Sequence, residues 1–233
     1  QGAGHELTRD AADAAVIVVN TCAFIDKAKQ ESIDTILEMA EHKKSGKCRT
    51  LVVTGCMAER YRDELKAQIP EIDAVLGTGE VPEIVGAIGG SAPQPLPHLR
   101  ADGPKVERVR PTYLYGADTP RLLATPRHYA YLKIAEGCDY KCAFCIIPTL
   151  RGAYRSRPAD SIVREAERLA AGGVKELLLI SQATTFYGID QGERGALASL
   201  LKRLDRIDGL EWIRLMYLYP TTITDDVIDA IGE

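Results

Sequence analysis

The sequence predicts an α/β protein in two parts, and two observations carry that prediction. Short continuous runs of β-branched residues alternate with helical apolar spacing along both ends of the chain, as in parallel sheets buried on both faces. Between the ends, seven of the chain's twelve prolines (Pro93, Pro95, Pro97, Pro104, Pro111, Pro120 and Pro126) interrupt any periodicity. The expected layout is a doubly wound parallel sheet over residues 1–90, a linker over 91–127, and three βα units of a parallel barrel over 128–233.

In the first part, Ala15-Val16-Ile17-Val18-Val19-Asn20 reads as a buried strand with Cys22 just past its carboxyl end. A helix follows, carrying Ile25, Ile33, Ile36, Leu37 and Ala40 at helical spacing and closed by Gly46. Thr50-Leu51-Val52-Val53-Thr54 is the next strand, with Gly55 and Cys56 past its end. One helix with Tyr61, Leu65 and Ile69 runs to Pro70, and the strand Ala74-Val75-Leu76-Gly77 and a helix from Val81 to Ile88 complete the pattern. Ligands of such sheets gather at the strands' carboxyl ends. Cys22 and Cys56 therefore form a functional pair, while Cys48, about 20 Å away at the start of its strand, is a bystander. As plain residues, the two read equally well as structural cysteines.

The linker has six basic residues (Arg100, Lys105, Arg108, Arg110, Arg121, Arg127) against three acidic ones, and a short strand is expected at 106–109. Solvated charge is the better reading of that excess; contact with an anionic ribosomal or RNA surface is the weaker one.

In the second part, the strand-like run Tyr129 to Ala135 enters Gly137-Cys138-Asp139-Tyr140-Lys141-Cys142-Ala143-Phe144-Cys145. Three thiols in eight residues, spaced C-x3-C-x2-C, can converge on a soft metal centre, iron–sulfur or zinc. Three ligands leave an open position for chemistry; zinc in a closed site needs a fourth, for which His128 is the nearest candidate. Pro148 is expected to stop regular structure after the loop. Asp160 is a candidate cap for a helix with Ile162, Val163, Ala166, Leu169 and Ala170, ended by Gly172-Gly173. A strand from Glu176 to Ser181, a helix with Leu197, Leu200, Leu201, Leu204 and Ile207, a strand from Trp212 to Tyr219, and a last helix capped by Thr224 follow. Residues at strand carboxyl ends are the site candidates: the three cysteines, Ser181 and Gln182, and Tyr219. Arg214, within the last strand, is expected to be buried and to need a carboxylate, from a cofactor or an internal Asp or Glu. Arg151, Arg155 and Arg157 form a candidate anion cluster, with a solvated loop at least as good a reading.

The bulk numbers agree with globular domains and exclude little more. The chain has 233 residues, 45% hydrophobic and 27% charged, and its net charge of −4 argues against nucleic-acid binding by bulk electrostatics. Its apolar runs are too short for a membrane span, and no signal-peptide pattern opens it, so a cytoplasmic protein is expected. In that compartment, six cysteines read as ligands or free thiols rather than disulfides.

The cysteine loop, with an aromatic before its third cysteine and a strand before its first, resembles the radical S-adenosylmethionine superfamily. Val19-Asn20-Thr21-Cys22-Ala23-Phe24-Ile25 and Val53-Thr54-Gly55-Cys56 further resemble the amino-terminal domain of its methylthiotransferases. The resemblance implies a partial amino-terminal domain followed by the first half of a radical S-adenosylmethionine barrel, so that both ends of a longer protein are expected to be missing. It implies one 4Fe–4S cluster on Cys138, Cys142 and Cys145, binding S-adenosylmethionine, with Phe144 near the adenine and Gln182 and Arg214 as further cofactor contacts. A second 4Fe–4S cluster would use Cys22, Cys56 and a third cysteine upstream.

Arg127-His128-Tyr129-Ala130-Tyr131-Leu132-Lys133-Ile134-Ala135-Glu136-Gly137-Cys138, Cys145-Ile146-Ile147-Pro148 and Tyr217-Leu218-Tyr219-Pro220-Thr221-Thr222 resemble the family's ribosomal-protein branch. That branch implies transfer of a methylthio group to the β-carbon of an aspartate in the twelfth small-subunit ribosomal protein. The implied partners are that protein or the subunit carrying it and an external electron donor, with the enzyme a monomer. The rivals are a transfer-RNA adenosine methylthiotransferase and a non-catalytic iron–sulfur or zinc module. One departure stands out: Ala183 occupies a place where the family commonly has aspartate.

Overall fold

The computed structural model describes residues 4–89 and 113–232. The strand expected at 106–109 lies outside the described residues, as does most of the expected linker. The chain forms two compact units, one of residues 1–113 with Cys142–Arg151, the other of Leu114–Lys141 with residues 152–233. This corrects the expected boundaries at two places. Residues 114–127 belong to the second unit, because Ala117 is buried and its N–H donates to Ser161 Oγ at 3.0 Å, while Arg121 pairs with Glu165 at 2.6 Å. The segment Cys142–Arg151 groups with the first unit, where the hydroxyl of Thr78 donates to the carbonyl of Leu150 at 2.9 Å.

In the first unit, β1 (Val16–Thr21), β2 (Thr50–Gly55) and β3 (Ala74–Leu76) make a parallel sheet in that order. The helices are α1 (Asp26–Ser45), α2 (Cys56–Arg60), α3 (Arg62–Gln68), α4 (Ile84–Ile88) and α5 (Ile147–Arg151). Ile17, Val19, Leu51 and Val53 pack against Ile36 and Ala40 of α1, Met57 and Ala58 of α2 and Leu65 of α3. Side chains alternate across a strand, so Val52, Ala74 and Leu76 turn to the other face and meet Ile84 and Ala87 of α4. The first face is covered along the sheet and the second at β2 and β3, while Val18 of β1 on that second face is 43% exposed.

Three details differ from the sequence reading. Leu37 is 48% exposed and Ile25, 54% exposed, precedes α1 as its extended N-cap residue, so the buried stripe of the helix is narrower than the apolar spacing suggests. The single helix expected around Tyr61 is two, because Tyr61 leaves the helical region (φ −125°, ψ 31°) as its N–H closes α2 on Met57. Pro148 does not stop the chain; it sits second in α5, where a proline's missing N–H has no partner to lose.

The second unit contains β4 (Tyr129–Lys133), β5 (Ala135–Glu136), β6 (Arg155–Ser156), α6 (Ala159–Ala171), β7 (Glu176–Ile180), α7 (Ala196–Asp205), β8 (Trp212–Leu215) and α8 (Asp225–Gly232). β4, β7 and β8 form a parallel sheet in that order, with Tyr131, Leu178 and Arg214 in register. Ala130, Leu132, Leu177 and Leu179 share a core with Ile162, Ala166 and Leu169 of α6 and Leu197, Leu200, Leu201 and Leu204 of α7. A short antiparallel pair of β5 and β6, absent from the sequence reading, flanks the cysteine loop: Ala135 pairs with Ser156 and Glu136 with Arg155.

Asp160 is not the cap of α6; Pro158 holds that place, and Asp160 lies in the first turn, accepting from Arg203 at 2.7 Å. The strand expected to reach Tyr219 ends at Leu215, because Tyr217 takes a positive φ of 60° that no strand sustains. Among the described residues, no helix is long and apolar enough to cross a membrane.

Candidate metal centre

Parallel pairing places Thr21 opposite Gly55, so Cys22 and Cys56 each directly follow a registered pair at one edge of the first sheet. Gly55 makes the exit possible. Its φ is +98°, and a Cβ there would stand 2.5 Å from the Thr21 carbonyl oxygen and 2.6 Å from Asn20 Oδ1. Cys22 is held from below by the buried hydroxyl of Ser32, which accepts from the Cys22 N–H at 3.1 Å and donates to its carbonyl at 3.1 Å. Cys22 is exposed and Cys56 half-buried. Cys48 is buried in the core, and burial pushes its thiol pKa up, which suits an inert packing residue.

At the carboxyl end of β4, the second unit fixes the entry to the other three thiols. Gly137 has φ +88°, and a Cβ there would stand 2.1 Å from the Ala153 carbonyl oxygen. Its N–H donates to Gln182 Oε1 at 2.9 Å, the Cys138 N–H donates to the Gly152 carbonyl at 3.1 Å, and the Tyr154 N–H donates to Asp139 Oδ1 at 2.9 Å. Glu136 and Lys133 are ion-paired beside this turn. Cys138 is thereby buried on a tightly bonded backbone.

Behind the loop, the Tyr154 hydroxyl contacts Ser181 Oγ at 3.4 Å, and burial holds its pKa well above the usual phenol value. Ser181 also meets Thr184 at 3.3 Å, and Tyr140 stacks on Tyr219 with ring centroids 4.4 Å apart. In the segment grouped with the first unit, the Cys145 N–H donates to the Cys142 carbonyl at 3.0 Å, and both thiols are half-buried.

The other candidates fall less tidily. Gln182 is committed to the Gly137 amide, so its place in the structure is to position the loop. Phe144 is 85% exposed. Arg214, expected to be buried, is 58% exposed, and its partner is the internal carboxylate of Glu176 at 2.7 Å. The three arginines after the loop do not make one anion cluster. Arg157 is buried, ion-paired with Glu165 at 2.5 Å and donating to Ser161 and to the Lys133 carbonyl. Arg155 lies in β6, and Arg151 ends α5. Ala183 is 3% exposed with its N–H on Ser181 Oγ, so an aspartate there would bring a carboxylate into a buried turn.

Asp139, Tyr154 and Asp190, which accepts from the Ser156 N–H at 2.9 Å, are the positioning residues that sequence reasoning did not single out. Only Asp139 carried a signal, its place between two of the cysteines.

The donor set suits iron–sulfur chemistry: all six cysteines are free thiols, and three of them lie in one eight-residue loop. Among the described residues, no three His, Cys, Asp or Glu side chains already converge on a metal position.

Comparison with known proteins agrees with this donor chemistry. Residues 1–77 match the family described as "Uncharacterized protein family UPF0004", and residues 132–233 match the radical SAM superfamily. The chain is 47% identical over 264 residues to the ribosomal protein uS12 methylthiotransferase RimO of Koribacter versatilis, covering 99% of this chain and 52% of that protein. To the RimO of Symbiobacterium thermophilum it is 51% identical over 229 residues, covering 98% and 45%. To that of Myxococcus xanthus it is 51% identical over 230 residues, covering 99% and 46%. The chain thus spans about half the length of the curated relatives it matches.

In fold, it is similar to the radical S-adenosylmethionine methyltransferase TsrM of Kitasatospora setae, solved with cobalamin and a [4Fe-4S] cluster, with a TM-score of 0.59 at 17% identity over 94% of this chain and 47% of that one. The α/β architecture is therefore a partial radical S-adenosylmethionine fold. With near-complete coverage of this chain by relatives at about half identity, the chain is similar throughout to radical S-adenosylmethionine methylthiotransferases, and its residues 132–233 match the radical SAM superfamily.

Proposed function

We propose that this chain is the catalytic and sulfur-carrying part of an enzyme that adds a methylthio group to the β-carbon of an aspartate in ribosomal protein uS12. The observation that carries the reading is the buried, tightly bonded Cys138 loop at the carboxyl end of β4, in a chain about half identical to relatives named for that reaction. Cys138, Cys142 and Cys145 would hold a 4Fe–4S cluster, and S-adenosylmethionine would bind at its open position. When bound, these groups supply the radical chemistry needed to activate an unreactive C–H bond.

The chain's own residues do the rest. Gln182 and Asp139 hold the loop's backbone, and ring contacts among Tyr140, Tyr154, Phe186 and Tyr219 brace it. Phe144, exposed on the loop, is available to lie against an adenine ring, whereas Arg214 is taken up by the internal carboxylate of Glu176. Cys22 and Cys56, with a third cysteine from elsewhere in the whole protein, would hold the second 4Fe–4S cluster and carry the sulfur. The partners are uS12, free or on its subunit, and an external electron donor, for a monomer acting in the cytoplasm.

The test uses the full-length protein, reconstituted anaerobically, with uS12 and with transfer RNA as separate substrates. A mass gain of one methylthio group on uS12, with 5′-deoxyadenosine formed, is the expected result. Modification of transfer RNA alone would reassign the substrate, and zinc without iron would end the enzyme reading.

A further inference from the structure

Arg151 is the last residue of α5, and the mechanism above does not use it. Its Nη2 lies 3.5 Å from Cys56 Sγ, within reach of an N–H···S hydrogen bond, and both residues belong to the first unit. The placement is built rather than incidental. Leu150, its neighbour, is 3% exposed, and its carbonyl accepts from Thr78 Oγ1 at 2.9 Å, just past the carboxyl end of β3. Thr78 is held in turn through its N–H, which donates at 3.0 Å to Glu59 Oε2 on α2, the helix that Cys56 begins. Arg60, the nearest other cation on α2, turns elsewhere and donates to the Ala23 carbonyl at 3.4 Å.

From this geometry we infer that Arg151 is a positioning residue for the sulfur site at Cys56: it donates to the Cys56 sulfur and sets the reduction potential of the cluster held there. The inference rests on the proposed second cluster. Its physics is that of any thiolate-bound cluster. Hydrogen bonds and positive charge at a ligating sulfur stabilise the reduced form, which carries one more negative charge, and so raise the potential. The couple is a one-electron reduction of the cluster, and in the test below the electron comes from an added chemical reductant. An arginine suits the task because its guanidinium stays protonated at any working pH.

The experiment is a redox titration followed by electron paramagnetic resonance on the full-length protein, without S-adenosylmethionine or substrate. The background is the Cys138→Ala/Cys142→Ala/Cys145→Ala variant, which leaves only the Cys22/Cys56 cluster visible; if it misfolds, the wave lost in Cys22→Ala identifies the same cluster in the wild-type protein. Arg151→Met is expected to move that wave to more negative potential with iron content unchanged, and Arg151→Lys to move it less. Equal potentials at equal iron would overturn the inference. Iron lost from Arg151→Met but kept in Arg151→Lys would overturn tuning in favour of a purely structural role. If no iron is bound in the background variant and Cys22→Ala removes no wave, the second-cluster reading itself falls and takes this inference with it. That outcome is distinct from an unshifted wave.

Discussion

The chain's two cysteine regions are held in place by different physics. Cys22 and Cys56 follow directly from backbone register: a parallel ladder pairs Thr21 with Gly55, and each cysteine is the next residue along its strand. Cys138 stands on a loop whose shape comes from side chains and amides distant in sequence, among them Gln182, Tyr154 and Gly152. A pair set by register is as stable as its sheet. A loop set by a few polar bonds can be loosened one bond at a time, so the two regions should respond differently to the same kind of change.

The sharpest break should come at the three cysteines proposed as the loop's ligands. Replacing any one of Cys138, Cys142 or Cys145 by alanine is expected to abolish S-adenosylmethionine cleavage by the full-length enzyme, read as loss of 5′-deoxyadenosine. Normal production would sink the assignment.

Next in size is Glu165→Ala, in the second unit. It strands the guanidinium of Arg157, 1% exposed, and removes the partner of Arg121, at a cost of about 3–5 kcal/mol read by denaturant unfolding. A cost below about 1 kcal/mol would show that the buried pair is not a unit.

The two positive-φ glycines test the comparison directly. Gly55→Ala and Gly137→Ala should each cost on the order of 1–3 kcal/mol or more, since the new Cβ meets backbone at 2.5 Å and 2.1 Å respectively. The first should lower the stability of the first unit; the second should also lower the iron retained by the Cys138 loop. Equal iron loss in both would erase the distinction drawn here.

Gln182→Ala is a milder form of the same test, removing one bond worth about 1 kcal/mol. Slower iron incorporation with little change in unfolding midpoint is the expected result. An unchanged rate would leave the loop's shape to its other bonds.

The smallest effect belongs to Tyr187, whose hydroxyl donates to the Arg157 carbonyl at 2.8 Å and whose pKa burial raises to about 12. Because the folded value lies above the unfolded phenol's, this group's contribution to stability is full below about pH 10 and is lost as pH rises towards about 12. Tyrosinate absorbance that appears near the ordinary phenol pKa while the chain is still folded would contradict it.

Much of the fold was legible because its signals are local. Continuous runs such as Leu177-Leu178-Leu179-Ile180 and the glycine ends of α1 and α6 found their elements within a few residues. The misses also have local causes. The apolar spacing of α1 overstates its buried face, and nothing in the sequence marks Tyr217 as a positive-φ residue. Arg214 was misread because a charged residue inside an apolar strand looks buried, while alternation turns it to the face that the helices do not cover.

The sequence by itself determined the chemistry: which residues are thiols, their spacing in the loop, and that Cys22 and Cys56 share a strand edge, because a strand's direction and period follow from composition and steric rules. Only the tertiary structure decided what surrounds those thiols. That Gln182 carries the Gly137 amide, that Arg157 is buried against Glu165 and that Arg151 reaches Cys56 are contacts between residues far apart in the chain. They are fixed by how strands and helices pack, and local propensity holds no record of them.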